Sequence, residues 1–445
     1  MLRSSSLPQE TGGTNWRPKL IVVAASANPN TTGSVPRIGF RISKGLHDVA
    51  GATLVLHARD RQEVAGSFPP DSVHFAGSNR LARVIRKVAT TLFSEQWNLI
   101  SLLDFFDYLV FDAHAYLIVR RLVWQGVADY VLRVNPVSYR FPSLLPRLPV
   151  PVFTGPHNGG MEWPGGFAYL EGKERTGQRL RFLGNMAHAV LRDTGRYAGI
   201  FVAHDMCART VAEQHRDRVV IFPENGVDEV TFASPHAGDA TRLLYVGRLT
   251  PFKAVDIAIR ALARLPEQVR FTIVGDGPQR AELEGLARRL GVRDRCRFEG
   301  QQPHALLDGY YREAGVFVFP SVRESGGAVV LEAMSHSLPC LVASWGGPPI
   351  YTEKTGVHLS VQSPEALEDD LVAKLLEFLK KPEAARDIGR RSRQVIRGEY
   401  LWDSKAARLW TMIRQIAPDQ RNASADRAVR ISETGPRSTC NRRLR

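Results

Sequence analysis

The chain has 445 residues, of which 44% are hydrophobic and 23% are charged. This composition is typical of a soluble globular protein, and the length suits two domains. The net charge of +14 predicts a surface that attracts anions, such as phosphorylated substrates or lipid headgroups. The basic residues are not interleaved with stacking aromatics on a recognisable module, which argues against nucleic-acid binding. The four cysteines show no C-x-x-C spacing, so we expect reduced, structural thiols in a cytoplasmic protein.

The two ends of the chain and its most apolar window bear on targeting. Residues 1–18 are polar and rich in Ser, Thr and Gly, which predicts a disordered N-terminus without a signal peptide. Residues 421–445 carry seven Arg against two acidic residues, which predicts a disordered basic tail. The window from Leu99 to Val119 contains Asp104, Asp107 and Asp112, so we expect it to break into two elements and not to span a bilayer.

The first half of the chain alternates short apolar runs with helical stretches, which predicts a doubly wound parallel sheet. A helix is predicted from Arg37 to Val49. The strand candidates are Leu20 to Ala25, Thr53 to Leu56, Tyr108 to Phe111, Val131 to Val134, Val150 to Thr154, Ile200 to Ala203 and Val219 to Phe222.

From Arg242 the pattern restarts and predicts a second doubly wound domain after a short polar linker at residues 234–240. Its strand candidates are Leu243 to Val246, Phe271 to Val274, Arg297 to Phe298, Val316 to Phe319, Leu341 to Ala343 and His358 to Val361. Three amphipathic helices follow at Ser363 to Lys380, Pro382 to Tyr400 and Trp402 to Ile416. The sequence therefore predicts two Rossmann-like halves that face each other across a cleft.

The stretch from Phe319 to Gly347 carries the most informative pattern. Glu324 lies on a short loop after a strand, and Gly326 and Gly327 precede a helix that bears Glu332. The carboxyl ends of parallel strands form a ligand crevice, and glycines let a ligand approach the free N–H groups of a helix start. Two carboxylates beside anion-receptive amides suit a ligand with hydroxyls and phosphates. A nucleotide sugar is such a ligand.

A second charged group follows the first strand of this half. Gly247 and Arg248 end that strand, and Lys253 stands just before a helix that begins near Ala254. A guanidinium and an ammonium beside a helix start make a site for a diphosphate, and they would stabilise the charge on a leaving nucleoside diphosphate. The alternative is a pair of solvated surface cations.

The spacing of Glu324, seven residues and Glu332, followed by Gly346-Gly347-Pro348, resembles the donor-site signature of the family-4 retaining glycosyltransferases of GT-B fold, or glycosyl transferases group 1. Asn225-Gly226-Val227-Asp228 is similar to the domain junction of that family. The stretch from Val150 to Gly160 is similar to a subgroup that handles bacterial surface polysaccharides. The likeness covers residues 19–416, with a departure at Ile350, where the family commonly has Glu.

The resemblance implies an α/β GT-B fold with two Rossmann-like doubly wound domains. Residues 19–235 would bind the acceptor and residues 236–401 the nucleotide-sugar donor. The terminal helix, residues 402–416, would pack back on the first domain.

The resemblance also implies roles for single residues. Arg248 and Lys253 would hold the leaving group, Glu332 the ribose hydroxyls and Glu324 the hydroxyls of the transferred sugar. His157 would lie near the reacting sugar, with a turn histidine bonded to backbone as the alternative. The backbone positions assigned to the donor are Gly247, Gly277, Gly326, Gly327, Ala328 and Val329, together with Gly33, which is what remains of the family's Gly-rich loop; for Gly277 plain turn geometry is the alternative.

The resemblance implies transfer of a sugar from a UDP- or GDP-sugar to a saccharide or lipid-linked acceptor, with retention, in cell-surface polysaccharide or glycolipid assembly. No cofactor or metal is expected, because Arg248 and Lys253 supply the positive charge that a divalent ion would. A basic amphipathic helix from Lys173 to Arg196 could lie on an anionic membrane surface or be an ordinary solvated helix, which leaves peripheral membrane association open. A sugar-nucleotide epimerase, a phosphorylase and a non-catalytic nucleotide-sugar-binding subunit stay as alternatives.

Overall fold

The computed structural model describes residues 18–31, 34–78, 97–138, 141–170, 194–228, 239–355 and 357–417, and for residues 34 and 97–104 it describes the backbone alone. The predictions for the N-terminus, Gly33, most of the basic helix, most of the linker and the basic tail lie outside the described residues.

The first domain is built on a parallel sheet with the strand order β3-β2-β1-β4-β5-β6-β7. The strands in its described part are β1 (Leu20–Ala24), β2 (Thr53–His57), β3 (Val73–Ala76), β4 (Tyr130–Asn135), β5 (Val152–His157), β6 (Gly199–Val202) and β7 (Val219–Ile221). The helices there are α1 (Ser34–Ala50), α2 (Trp97–Trp124) and α3 (Asp205–Arg209). Apolar clusters cover both faces of this sheet, and β1, β4 and β5 are fully buried.

The second domain is built on a parallel sheet with the order β10-β9-β8-β11-β12-β13. Its strands are β8 (Arg242–Val246), β9 (Arg270–Val274), β10 (Cys296–Gly300), β11 (Val316–Phe319), β12 (Cys340–Ala343) and β13 (His358–Leu359). The helices along the described chain are α4 (Val255–Ala263), α5 (Arg280–Arg289), α6 (His304–Glu313), α7 (Ala328–Ser335), α8 (Pro348–Thr352), α9 (Pro364–Lys380), α10 (Pro382–Val395) and α11 (Trp402–Ile416). Two doubly wound parallel sheets confirm the predicted fold class.

Two expectations for the first domain were wrong. Tyr108 to Phe111 is not a strand, and the apolar window is not two elements, because both lie in the 28-residue helix α2. The buried residues Tyr108, Phe111, Ala115 and Val119 recur at helical spacing on one face of α2, which a four-residue apolar run cannot reveal. Strand β3 went unpredicted because its residues are mostly only half-buried. Within the described residues, no helix is both long enough and apolar enough to cross a membrane.

The last helix, α11, packs on the first domain and not on the second. Its buried residues Leu409, Trp410 and Ile413 belong to the same apolar cluster as β1 and α1. The Trp410 ring meets Tyr130 edge-on with centroids 5.9 Å apart, and the Tyr130 hydroxyl donates to the Ala417 carbonyl at 3.0 Å. The C-terminal helix α11 is therefore part of the core of the first domain.

A second connection crosses between the domains at residues 161–170, which we call the crossing segment. Phe167 and Leu170 of this segment are buried in the core of the second domain, although the segment follows β5 of the first. Trp345 of the second domain donates from Nε1 to the Glu162 carbonyl at 2.9 Å, and the Arg323 guanidinium lies 4.8 Å from the Trp163 ring centroid. The two domains are thus joined at more than the covalent linker.

Candidate functional site

The loop of residues 324–327 connects β11 to α7 at the carboxyl edge of the second sheet. Gly327 has φ +63°, a conformation that glycine adopts without strain, and it immediately precedes the first helical residue, Ala328. The Glu324 carboxylate accepts from the Gly327 N–H at 3.1 Å, and the Glu324 carbonyl accepts from the Gly347 N–H at 2.9 Å. The side chain of Glu324 is therefore held at the helix start, where its charge is favoured.

Lys253 and Glu324 form an ion pair at this edge, with their side chains only 13% and 19% exposed. Lys253 ends a short 3₁₀ turn after β8, and left-handed Ala254 (φ 51°) turns the chain into α4. The Lys253 ammonium also lies 5.2 Å from the ring centroid of Phe319 at the end of β11. The structure thus brings together two residues that lie far apart in the sequence, because neighbouring strands β8 and β11 end at the same place.

Arg248 lies on the same edge but is exposed. Its carbonyl accepts from the Tyr245 hydroxyl at 3.0 Å, whereas its guanidinium makes no hydrogen bond or ion pair with any residue that the structure describes. A Cβ on Gly247 would meet the Tyr245 hydroxyl at 2.8 Å, and one on Gly277 would meet the Leu249 backbone N at 2.7 Å. Close packing against Tyr245 and Leu249 is thus sufficient reason for glycine at both positions. Contact of either glycine with a nucleotide stays a prediction.

Glu332 lies about one turn along α7 and lines a cavity of about 680 Å³, a size that suits a small-molecule ligand. Its carboxylate accepts from the Tyr311 hydroxyl at 2.9 Å and lies 3.2 Å from His304 Nε2. Burial raises the pKa of Glu332, but the hydrogen bonds and charge around it, chiefly from His304, outweigh burial and hold that pKa below its ordinary value. Glu332 is therefore an ionised acceptor at the wall of the cavity, which Ala328, Val329 and Arg37 also line.

His157 is buried, and it is the last residue of β5. The predicted strand ended at Thr154, which was wrong: β5 continues to His157, and Gly155 lies within it, where a Cβ would come within 2.9 Å of the Phe201 carbonyl carbon of β6. His157 Nε2 lies 2.9 Å from the Thr154 hydroxyl. Burial and the nearby Arg133 guanidinium lower the pKa of His157 to about 3, so the imidazole is uncharged. Its role at the sugar stays a prediction.

The sequence analysis missed three first-domain residues at the junction with the 324–327 loop. His204 Nε2 lies 3.1 Å from the Ser325 hydroxyl. Asn158 donates from Nδ2 to Glu224 Oε2 at 2.5 Å. The Glu224 carboxyl packs so closely on Gly326 that a Cβ at that glycine would clash with it. All three residues follow the carboxyl ends of β5, β6 and β7 within three residues. This placement just past the carboxyl ends of parallel strands is the signal that could have identified them.

The fold and this site define the protein as a two-domain α/β protein of GT-B type, with a cleft whose second-domain wall carries Lys253, Glu324 and Glu332. The sequence pattern of the family described as glycosyl transferases group 1 matches residues 227–395. That range contains β8 to β13 and the whole 324–327 loop. The match to this family therefore covers the second domain, which supports that part of the predicted resemblance.

Two sequence relatives of moderate identity are both named D-inositol 3-phosphate glycosyltransferase. The D-inositol 3-phosphate glycosyltransferase of Xylanimonas cellulosilytica is 32% identical over 213 residues, which are 43% of this chain and 50% of the relative. The protein of that name from Streptomyces scabiei is 30% identical over 246 residues, or 50% of this chain and 52% of the relative. The chain thus spans about half the length of these two curated relatives.

Solved structures resemble the whole fold. Sucrose-phosphate synthase from Thermosynechococcus elongatus superimposes with a TM-score of 0.61 at 19% identity, over 90% of this chain and 99% of that one. Anabaena HepE in complex with UDP gives a TM-score of 0.59 at 15% identity, over 89% of this chain and all of that one. At such identities the likeness concerns the fold alone, and it confirms the predicted GT-B architecture.

Proposed function

We propose that this chain transfers a sugar from a nucleotide-sugar donor to an acceptor hydroxyl in the cleft between its domains. The observation that supports this most is the combination of the Lys253–Glu324 pair with the start of α7 and the ionised Glu332 on one wall. A ribose would bond to Glu332, and a diphosphate would lie by the helix start near Lys253 and the exposed Arg248.

The chain's own residues would act mainly by electrostatics. The bond between the anomeric carbon of the sugar and the diphosphate oxygen breaks, and the acceptor oxygen forms the new bond to that carbon. The acceptor proton is taken up by the departing diphosphate. Lys253 and Arg248 would stabilise the charge that grows on the leaving group, and Glu324 would orient the sugar hydroxyls. The uncharged His157 suits a hydrogen-bonding role beside the sugar better than a charged one.

The finer features form part of the same proposal. The donor is a UDP- or GDP-sugar, transfer retains the anomeric configuration, and no metal is required. The acceptor is a saccharide or lipid-linked sugar in cell-surface polysaccharide or glycolipid assembly, at or near an anionic membrane surface. The relatives named for D-inositol 3-phosphate add a phosphorylated polyol as an acceptor to be tested.

Thermal unfolding with and without UDP, GDP, ADP and their sugar conjugates tests donor binding. A ligand that binds only the native state at 100 times its Kd adds about 2.7 kcal/mol to the free energy of unfolding. We expect one nucleotide to raise Tm clearly, and Lys253→Ala to lose most of that rise. Lys374→Ala, which changes an exposed lysine on α9, is the matched control and should keep it.

Turnover then separates transfer from the alternatives. Free nucleoside diphosphate that is released only when an acceptor is present supports transfer and contradicts an epimerase. A wild-type protein that no nucleotide stabilises, and that consumes no nucleotide sugar with any acceptor tried, would overturn the proposal.

A further inference from the structure

Glu224 is a buried carboxyl group to which the proposed transfer reaction assigns no role. It follows β7 of the first domain and is 2% exposed. Its position is at the boundary between the domains, one residue before the Asn225-Gly226-Val227-Asp228 motif. A carboxyl group is rarely buried to this extent without a specific partner.

Two contacts join Glu224 to opposite walls of the cleft. Its Oε2 accepts from Asn158 Nδ2 at 2.5 Å, and Asn158 is the neighbour of His157 at the end of β5. Its Oε1 packs so closely on Gly326 that no side chain could be added at that glycine without displacing it. Gly326 is part of the 324–327 loop, which carries Glu324 and leads into α7. One side chain therefore touches both the first-domain loop and the second-domain loop of the proposed site.

We propose that Glu224 is a positioning residue of the transfer reaction, which fixes the 324–327 loop of the donor wall relative to Asn158 and His157 on the acceptor wall. It acts through Gly326 and Asn158 and need not touch the substrate. This inference rests on the proposed function, since it assigns Glu224 a part in the same site.

The charges around Glu224 fit this role when its carboxyl is protonated. Burial raises the pKa of Glu224 to about 8; the Asn158 hydrogen bond lowers it, the Glu324 charge raises it, and Lys405 lowers it. The other titratable groups that face it are Tyr351 on α8 and Cys207 on α3, and burial raises the pKa of each. A neutral carboxyl can pack beside Glu324 without opposing the Lys253–Glu324 pair, whereas an ionised one would repel Glu324.

Lys405 of α11 does not neutralise Glu224 by direct pairing. Its ammonium donates to the Pro223 carbonyl at 2.5 Å and lies 4.1 Å from the Phe222 ring centroid. Burial lowers the pKa of Lys405 well below its ordinary value. A substitution of Glu224 is therefore expected to change the packing at Gly326 and the hydrogen bond of Asn158 more than the contacts of Lys405.

Hydrogen exchange of the full-length protein tests the positioning directly, without a known donor. We expect amides of residues 324–330 to exchange about tenfold faster in Glu224→Ala than in wild type at pH 7, and within about twofold of wild type in Glu224→Gln, which keeps the shape and the neutral charge. Asn158→Ala should raise exchange in the same peptides. Glu377→Gln, which changes an exposed residue of α9, is the control and should change nothing there.

Two pH profiles test the protonation state. The raised pKa means that the folded protein holds a proton on Glu224 that the unfolded chain releases above its ordinary pKa, so wild-type stability should fall relative to Glu224→Gln as pH rises from about 5 through 8. With a nucleotide sugar that the wild type consumes, kcat should fall several-fold above pH 8 in wild type but not in Glu224→Gln. Glu224→Ala should lower kcat at pH 7 more than tenfold with less than threefold change in the donor KM.

Wild-type exchange rates at residues 324–330 in both Glu224→Ala and Asn158→Ala would overturn the positioning role, whether or not a donor is found. If Glu224→Ala does not fold, Asn158→Ala and Glu224→Gln decide it by the same exchange and pH profiles. If the wild type consumes neither UDP-glucose nor GDP-mannose nor any other donor tried, the proposed function fails, while the exchange comparison still settles whether Glu224 positions the loop.

Discussion

The two walls of the cleft are built in different ways. On the second-domain wall, Glu324, Gly326, Gly327 and Glu332 come from one continuous stretch, and Lys253 from the end of a neighbouring strand. On the first-domain wall, Asn158, His204 and Glu224 come from the ends of three different strands. His204 contacts Ser325 and Glu224 contacts Gly326 of the other wall, while Asn158 bonds to Glu224.

This difference means that the 324–327 loop takes its shape mainly from local backbone geometry, whereas the first-domain residues are placed by tertiary packing. The Gly327 N–H at the start of α7 bonds the Glu324 carboxylate within three residues, and Lys253 pairs with the same carboxylate from a neighbouring strand end. The first-domain residues depend on the register of β5, β6 and β7 and on the core behind them. We therefore expect mutations in the first-domain core to disturb the site at a distance, and mutations in the 324–327 loop to disturb it directly.

The largest expected effect concerns the packing behind the first-domain wall. Trp410→Ala should lower the free energy of unfolding by about 3–5 kcal/mol, since it removes a large aromatic side chain from a core that joins the two ends of the chain. Trp124→Ala is the matched control: that ring is 79% exposed at the end of α2, and its loss should cost less than about 0.5 kcal/mol. Urea unfolding followed by circular dichroism measures both.

Equal unfolding midpoints for the two tryptophan variants would contradict the inclusion of α11 in the first-domain core. A Trp410→Ala protein that keeps its second domain folded, as judged by nucleotide-induced stabilisation, would sharpen the comparison. It would show that the second-domain wall forms without support from the first-domain core.

A smaller effect is expected where the two walls touch. Gly326→Ala should destabilise the protein by about 1–3 kcal/mol and lower nucleotide-sugar turnover, because its Cβ would collide with Glu224 and Asn225 in a packed junction. Gly309→Ala on α6 is the matched control. No atom lies within 4 Å of a Cβ there, and alanine in a helix should stabilise by up to about 1 kcal/mol. Thermal unfolding and initial rates of both variants are the measurements.

The opposite signs expected for these two glycines make the result decisive. If Gly326→Ala were as stable and active as wild type, the two walls would not be packed at this point in the working enzyme, and the position of Glu224 at the loop would lose its significance.

The second domain was the more predictable half, for a physical reason. Strand β11 has the predicted bounds, Val316–Phe319, because Pro320 ends it locally. Strand-end logic also placed Lys253 and Glu324 on one edge. That they form an ion pair depends on side-chain directions across two strands, which the sequence does not specify.

The first domain shows where local patterns stop being informative. The run from Tyr108 to Phe111 has strand composition, yet it is helical because its neighbours at helical spacing share a buried face. The burial of Glu224 cannot be read from the sequence, since it arises only when Asn158 and Gly326 are brought to it from distant parts of the chain. A polar residue within three positions of a parallel strand's carboxyl end is the general pattern that would have identified it.

The smallest expected effect tests Glu332 on the second-domain wall. Glu332→Gln keeps the shape of the side chain but replaces an ionised acceptor by a neutral one, which weakens a hydrogen bond to a ribose hydroxyl by about 1 kcal/mol. We expect roughly fivefold weaker binding of UDP in calorimetry, with the transition in thermal unfolding otherwise intact. Glu282→Gln on α5 is the control and should bind as wild type does.

An analogue that lacks the 2′-hydroxyl sharpens the same test. If Glu332 binds the ribose, 2′-deoxy-UDP should bind wild type more weakly than UDP does, and the difference between wild type and Glu332→Gln should shrink for the analogue. If both nucleotides bind the variant as tightly as wild type, Glu332 only holds His304 and Tyr311 in place, and the nucleoside lies elsewhere in the cleft. The second-domain wall would then depend on tertiary partners as much as the first-domain wall does.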